Sequence, residues 1–302
     1  MPAIPKGPLS PQQTQQVANM LRQRLMRQVA LEVWTREPEA IFTGERDDGR
    51  HAQAALELMR QIKSLHPMLT LTPYDLDRHE RLAAERGIEH SPTVTLRCGG
   101  RGIRTVGLFF GPFSQAFLDA LGIVSFGESR LSPETRAALA GIESEVTIEA
   151  FLTPFDPISV QMIPLLTAFA VEGKKFRVTL YEASQFPMLA RKRMVSQVPL
   201  IVINGQRFVG NYNEEQLREQ IVRVVEGNEE PVVRDRVFAS PYVSEDEAIR
   251  MAEEQAARAK QQAANPGQPA QRGQSAPNQP QQPGPPRLPG QTPGGLFIPG
   301  RD

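Results

Sequence analysis

The sequence predicts an α/β chain made of two tandem copies of one β-α-β-α-β-β-α unit, each a mixed four-stranded sheet flanked by helices. Three observations lead there. Short apolar runs bounded by turn residues alternate with stretches whose apolar positions recur three and four apart. The order of these stretches is the same in both halves of the chain. The spacing repeats as well, since Tyr74 to Pro92 is 18 positions and Tyr181 to Pro199 is also 18. A βαβ crossover makes its strands parallel and a hairpin makes them antiparallel, so such a unit yields a mixed sheet.

Taken in order, Pro11 to Arg27 reads as a helix with Val17, Met20, Leu21 and Leu25 on one stripe. The first unit follows: strand Val29–Trp34 ending in Thr35, a helix carrying Ala52, Ala55, Leu56, Met59 and Ile62, strand Met68–Tyr74 and helix Arg78–Arg86. Ser91-Pro92 then opens strand Thr93–Cys98, a Gly99-Gly100 turn, strand Ile103–Val106 and helix Phe113–Leu121. The second unit reads strand Val146–Leu152 ending in Thr153, helix Pro157–Val171, strand Phe176–Tyr181 and helix Gln185–Met194. Val198-Pro199 opens strand Leu200–Ile203, the Asn204-Gly205 turn, strand Arg207–Val209 and helix Glu214–Val225. Thr35 to Tyr74 is 39 positions against 28 for Thr153 to Tyr181, so the first unit carries 11 extra residues, placed in the polar stretch Phe42–Gly49.

These elements divide the chain into an N-terminal helical segment (1–27), two units (28–125 and 126–228), a helical extension (229–264) and a tail (265–302). Within the extension, Ser244-Glu-Asp-Glu247 is a capping-box pattern opening a helix to about Ala264. The tail is a Pro/Gln/Gly tract without apolar periodicity and is expected to be disordered, because it buries too little to offset its ordering entropy. It ends in Leu296, Phe297 and Ile298. An apolar triplet after a linker is the layout of a tethered docking peptide, similar to the peptides that load cargo into encapsulin shells. The plainer reading is low-complexity sequence ending in three apolar residues.

Composition narrows the function. With 34 basic and 34 acidic residues the chain offers no bulk field for nucleic acid or an anionic membrane. No apolar run reaches a membrane span, and Met1-Pro-Ala-Ile-Pro-Lys6 lacks a signal-peptide core, so a soluble cytoplasmic protein is expected. His51, His66, His79 and His90 show no metal-binding spacing, and Gly99-Gly100 and Gly205 sit in turns and not in a phosphate loop. No metal or cofactor is expected.

The second unit carries specific signatures: Phe151-Leu-Thr-Pro154, Glu182-Ala-Ser-Gln-Phe-Pro187 and Val198-Pro-Leu-Ile-Val-Ile-Asn-Gly205. Tyr74-Asp-Leu-Asp77, Arg101-Gly-Ile-Arg104 with Gly107, and Leu131-Ser-Pro-Glu-Thr135 add to them. On these residues, over roughly 28–227, the chain resembles the tandem thioredoxin-fold protein disulfide oxidoreductases, which are glutaredoxin-like. The resemblance implies a Cys-x-x-Cys at each strand-to-helix junction, where a helix N-terminus lowers the first thiol's pKa. It also implies that Pro92 and Pro199 are cis and that the residues before them, Ser91 and Val198, offer backbone to a bound peptide.

The chain departs from that pattern. Its one cysteine is Cys98, and a lone thiol cannot close an intramolecular disulfide. The second junction reads Asp156-Pro157-Ile158-Ser159, and the first reads Glu37-Pro-Glu-Ala-Ile-Phe42 followed by the insertion. Asp156 before Pro157 reads as a helix N-cap; the sharper alternative makes it a general base or ligand contact. Cys98 shares a strand face with Val94 and Leu96, and so is expected to be buried and inert. The expectation is a redox-inactive protein that binds a peptide or protein partner, with Ser91, Pro92, Asp156, Pro157, Val198 and Pro199 lining the candidate cleft. The alternative is an oxidoreductase working through Cys98 or through a partner's thiols.

Overall fold

The computed structural model describes residues 9–36, 49–234 and 237–264. The junction Glu37–Phe42, most of the insertion after it, and the tail with Leu296, Phe297 and Ile298 lie outside the described residues. Residues 1–255 carry the sheet; residues 256–302 form a separate unit, described over the helical stretch 256–264.

Helix α1 (Pro11–Arg24) opens on a capping box between Ser10 and Gln13. It stops short of Arg27 because Leu25 turns to extended backbone. The first repeat then runs β1 (Val29–Thr35), α2 (Ala52–Ser64), β2 (Leu69–Asp75), α3 (Glu80–Arg86), β3 (Thr93–Cys98), β4 (Arg101–Val106) and α4 (Ser114–Phe126). Helix α5 (Pro133–Ala140) leads to the second repeat. That repeat runs β5 (Val146–Leu152), α6 (Pro157–Glu172), β6 (Phe176–Glu182), α7 (Pro187–Lys192), β7 (Gln197–Val198), β8 (Leu200–Ile203), β9 (Gln206–Val209) and α8 (Glu214–Val225). Strand β10 (Ser240–Pro241) and helix α9 (Glu245–Ala264) follow.

The two repeats share one sheet of eight strands in the order β2-β1-β3-β4-β6-β5-β8-β9. Each contributes the same mixed four-stranded block. The seam is the parallel pairing of β4 with β6, which sets Arg104, Thr105 and Val106 beside Thr179, Leu180 and Tyr181. Helices α4 and α6 pack against each other across this seam. A single apolar core therefore runs under both repeats, from Val17 and Leu21 of α1 to Leu217 and Ile221 of α8. The opposite face holds two smaller clusters, Trp34, Leu76, Ala83 and Ile88 under α3, and Phe151, Tyr181, Phe186 and Val198 near α7.

Strand alternation accounts for the two faces. Val94, Leu96 and Cys98 of β3 enter the large core, as period 2 requires. Between the two small clusters the sheet presents a register-aligned polar row, Glu32, Thr95, Arg104, Thr179 and Glu149.

Several expected boundaries move. The helix expected over Gln185–Met194 is a 3-10 turn, Ala183–Gln185, followed by α7. Pro187 has no N–H to continue the turn and takes the first helical position instead. Helix α4 runs on to Phe126 and closes on Gly127 at φ 73°. Helix α5 adds an element to the expected order; Ser132 caps it by accepting from the Thr135 N–H, ahead of Pro133. In the extension the helix expected to open at Ser244 runs as Glu245–Ala264, and among the described residues ahead of it Ser240–Pro241 is a strand. No helix among the described residues is long and apolar enough to cross a membrane.

Candidate functional site

The N-terminus of α6 is the position where the resemblance places the thiols. Asp156 is its N-cap and Pro157 its first residue. The carboxylate is buried and uses both oxygens. Oδ2 accepts from the Ser159 backbone N–H and hydroxyl, each at 2.7 Å. Oδ1 accepts from the Ser240 hydroxyl at 2.9 Å. Carboxylate, helix N-terminus and two hydroxyls thus satisfy one another.

The Ser240 contact connects this junction to the neighbouring loop. The Val198-Pro199 peptide is cis, and Val198 is fully buried. Its strand β7 pairs antiparallel with β10, Ser240 opposite Val198 and Pro241 opposite Gln197. The Tyr242 N–H donates to the Ser196 carbonyl at 3.0 Å, and the Tyr242 hydroxyl donates to the Ala183 carbonyl at 3.1 Å. The Asn211 N–H donates to the Phe238 carbonyl at 3.2 Å. The backbone edge expected to receive a peptide is therefore already paired, and its occupant is the chain's own segment Phe238–Tyr242.

That segment continues to the first repeat. Glu245 is 5% exposed and lies 2.8 Å from His51 Nε2. Burial works to raise the Glu245 pKa, but the hydrogen bond from His51 and the nearby positive charge outweigh it and the net shift is downward. Asp246 accepts from both terminal nitrogens of Arg50, at 2.8 and 3.1 Å. The first cis peptide, Ser91-Pro92, is covered in a similar way. The Ser91 carbonyl accepts from the Gly49 N–H at 3.1 Å and its hydroxyl from the Arg36 N–H at 2.8 Å.

Hence the structure gathers Asp156, Ser159, Val198 and Ser240 into one group, with Pro157 exposed at its rim. Ser91 and Pro92 belong to a second group with Arg36 and Gly49. Sequence reasoning missed Ser240, because two extended residues around a proline have no period to detect. It also missed Glu182, whose place in the Glu-Ala-Ser segment was the available signal. Glu182 is fully buried, and burial pushes its carboxyl up to about 8. The Ser184 hydroxyl and the Gln185 N–H donate to it.

The polar row of the sheet floors a groove of about 850 Å³. At its centre Arg104 donates to the carbonyls of Arg86 and Gly87, both at 2.6 Å, and so closes the C-terminus of α3. Burial lowers its pKa, and its buried Nε–H has no hydrogen-bond partner among the described residues. Cys98 lies at the end of β3 remote from Pro92, 8% exposed, with Sγ 3.9 Å from the Ser125 carbonyl oxygen.

No family model and no curated protein matches this chain. Solved structures do. A protein disulfide oxidoreductase from Aeropyrum pernix superposes with a TM-score of 0.63 at 24% identity, over 74% of this chain and 96% of that one. The NTD_N/C domain of the alkylhydroperoxide reductase AhpF from Enterococcus faecalis gives 0.60 at 18% identity, over 70% of this chain and 99% of its own. The fold is thioredoxin-like. At these identities the likeness extends to the architecture, including the tandem arrangement, and not to the chemistry.

Proposed function

We propose that this thioredoxin-like chain is redox-inactive and acts by binding a peptide or protein partner. The observation that carries the reading is the second strand-to-helix junction. Where dithiol exchange needs two sulfurs at a helix N-terminus, this chain has a buried carboxylate and a hydroxyl that hydrogen-bond to each other. The one cysteine is at the wrong end of its strand and faces the core. What supports a binding role is the extended edge at Val198, which takes a strand by backbone pairing and here holds the chain's own Ser240–Pro241 beside the capped N-terminus of α6. Such an edge recognises extended backbone by strand addition.

Cys98 offers a chemical check. Its thiol is expected to react with iodoacetamide at pH 7.5 roughly two orders of magnitude more slowly in the native protein than after unfolding in urea, because reaction waits on local opening. Native labelling as fast as that of the unfolded chain would reveal a reactive thiol and favour the oxidoreductase reading.

A further inference from the structure

Strand β7 is not part of the eight-stranded sheet; its one strand partner among the described residues is β10. A strand pair of two residues is marginal by itself. Its neighbours are held by side-chain anchors spaced along the segment: Ser240 on Asp156, Tyr242 on the Ala183 carbonyl, Glu245 on His51 and Asp246 on Arg50. Ahead of the first anchor Val237 is 42% and Phe238 60% exposed, and between the anchors Pro241 is exposed while Ser244 and Glu245 are buried.

The two repeats meet this region differently, and the difference identifies what the segment replaces. Each β-hairpin ends in a glycine whose N–H donates to the carbonyl of the cis proline, Gly107 to Pro92 at 2.8 Å and Gly210 to Pro199 at 2.9 Å. Both glycines have positive φ, 104° and 106°. Over Gly107 sits the second repeat itself, through Glu182, Gln185 and Phe186. Among the described residues no third repeat sits over Gly210. There the chain places Val237 and Phe238, and then runs along β7.

We propose that Phe238–Asp246 is a built-in strap that occupies the second repeat's strand-addition edge, and that the partner binds there by displacing it. This rests on the binding role proposed above and specifies its site and its gate. The strap also defines the chemistry of a competitor: an extended peptide with a small hydroxyl residue facing Asp156 and, two residues on, a tyrosine reaching the Ala183 carbonyl. A partner of this kind meets a site that is competent only while the strap is off, so its apparent affinity falls with the open fraction.

The test uses the full chain and a fluorescent peptide of residues Val237–Glu247, with a scrambled peptide as control. Tyr242→Ala combined with Asp246→Ala removes two anchors, together with the Tyr242 ring that packs on the cluster around Phe151 and Phe186, and changes no fully buried residue. This variant is expected to bind the peptide at least about tenfold more tightly than the wild type, as when a strap closed some nine-tenths of the time is released. Gln197→Cys with Pro241→Cys joins a directly opposed antiparallel pair, whose spacing of roughly 4.5–5.5 Å suits a disulfide. Oxidised, this lock is expected to abolish peptide binding, and reduction to restore it in the same molecules. Equal binding by wild type, loosened variant and oxidised lock, or specific binding by none of them, would overturn the strap. Protein-disulfide turnover measured alongside separates the two claims, because its presence would defeat the redox-inactive reading whatever the peptide does.

Discussion

Gly107→Ala is expected to destabilise the fold by about 2–5 kcal/mol, the sum of a strained backbone and an overpacked contact. Gly107 has φ 104°, a conformation that L side chains rarely adopt. A Cβ there would stand 2.9 Å from the Glu182 Cβ and 3.1 Å from the Phe186 ring. Neither neighbour can withdraw cheaply, since both are buried and Glu182 ends the strand that forms the seam. The same residue anchors the first repeat's hairpin to Pro92, and next to it Leu108 exchanges two hydrogen bonds with the Gln185 side chain, at 2.8 and 3.1 Å. Urea denaturation at pH 7 reads the effect as a lowered midpoint. A stability within about 0.5 kcal/mol of wild type, the usual range for surface substitutions, would mean that the two repeats do not meet here as described.

Glu182→Gln is expected to stabilise the protein at alkaline pH and to flatten its pH dependence. The folded carboxyl titrates near 8, against an ordinary 4.5, because burial penalises its charge. Between those values the folded state holds a proton that the unfolded chain has released. Stability from this group therefore falls as pH rises from about 4.5 to about 8, and levels off above. Glutamine is neutral throughout and keeps the contacts, accepting from the Gln185 N–H and donating to the Ser184 hydroxyl. The variant should exceed wild type by on the order of a few kcal/mol at pH 9, with the gap closing towards pH 5. Thermal melts across that range check it. A gap that is constant with pH, or that widens on acidification, would show that Glu182 is ionised throughout.

Much of this architecture was legible because it rests on local periods. The matched intervals around Tyr74/Pro92 and Tyr181/Pro199 located both repeats, and alternation put Val94, Leu96 and Cys98 inside. Asp156-Pro157 read as a helix start because capping is a property of two or three adjacent residues. What escaped was non-local. Nothing in Arg104–Val106 announces that its edge pairs with Thr179–Tyr181 and joins two sheets into one. The strap escaped for the same reason: Ser240 and Pro241 have little strand propensity, and only their partners at β7 and Asp156 make them extended. The burial of Glu182 likewise follows from the docking of the second repeat over Gly107, which no single segment encodes.

The proposed function stands or falls on thiol chemistry, and turnover measures that directly. Reduction of a protein disulfide by the full-length chain, with dithiothreitol as electron source, should not exceed the uncatalysed rate, and Cys98→Ser should leave the result unchanged. Robust turnover that disappears in Cys98→Ser would contradict the account and make this chain a single-thiol oxidoreductase.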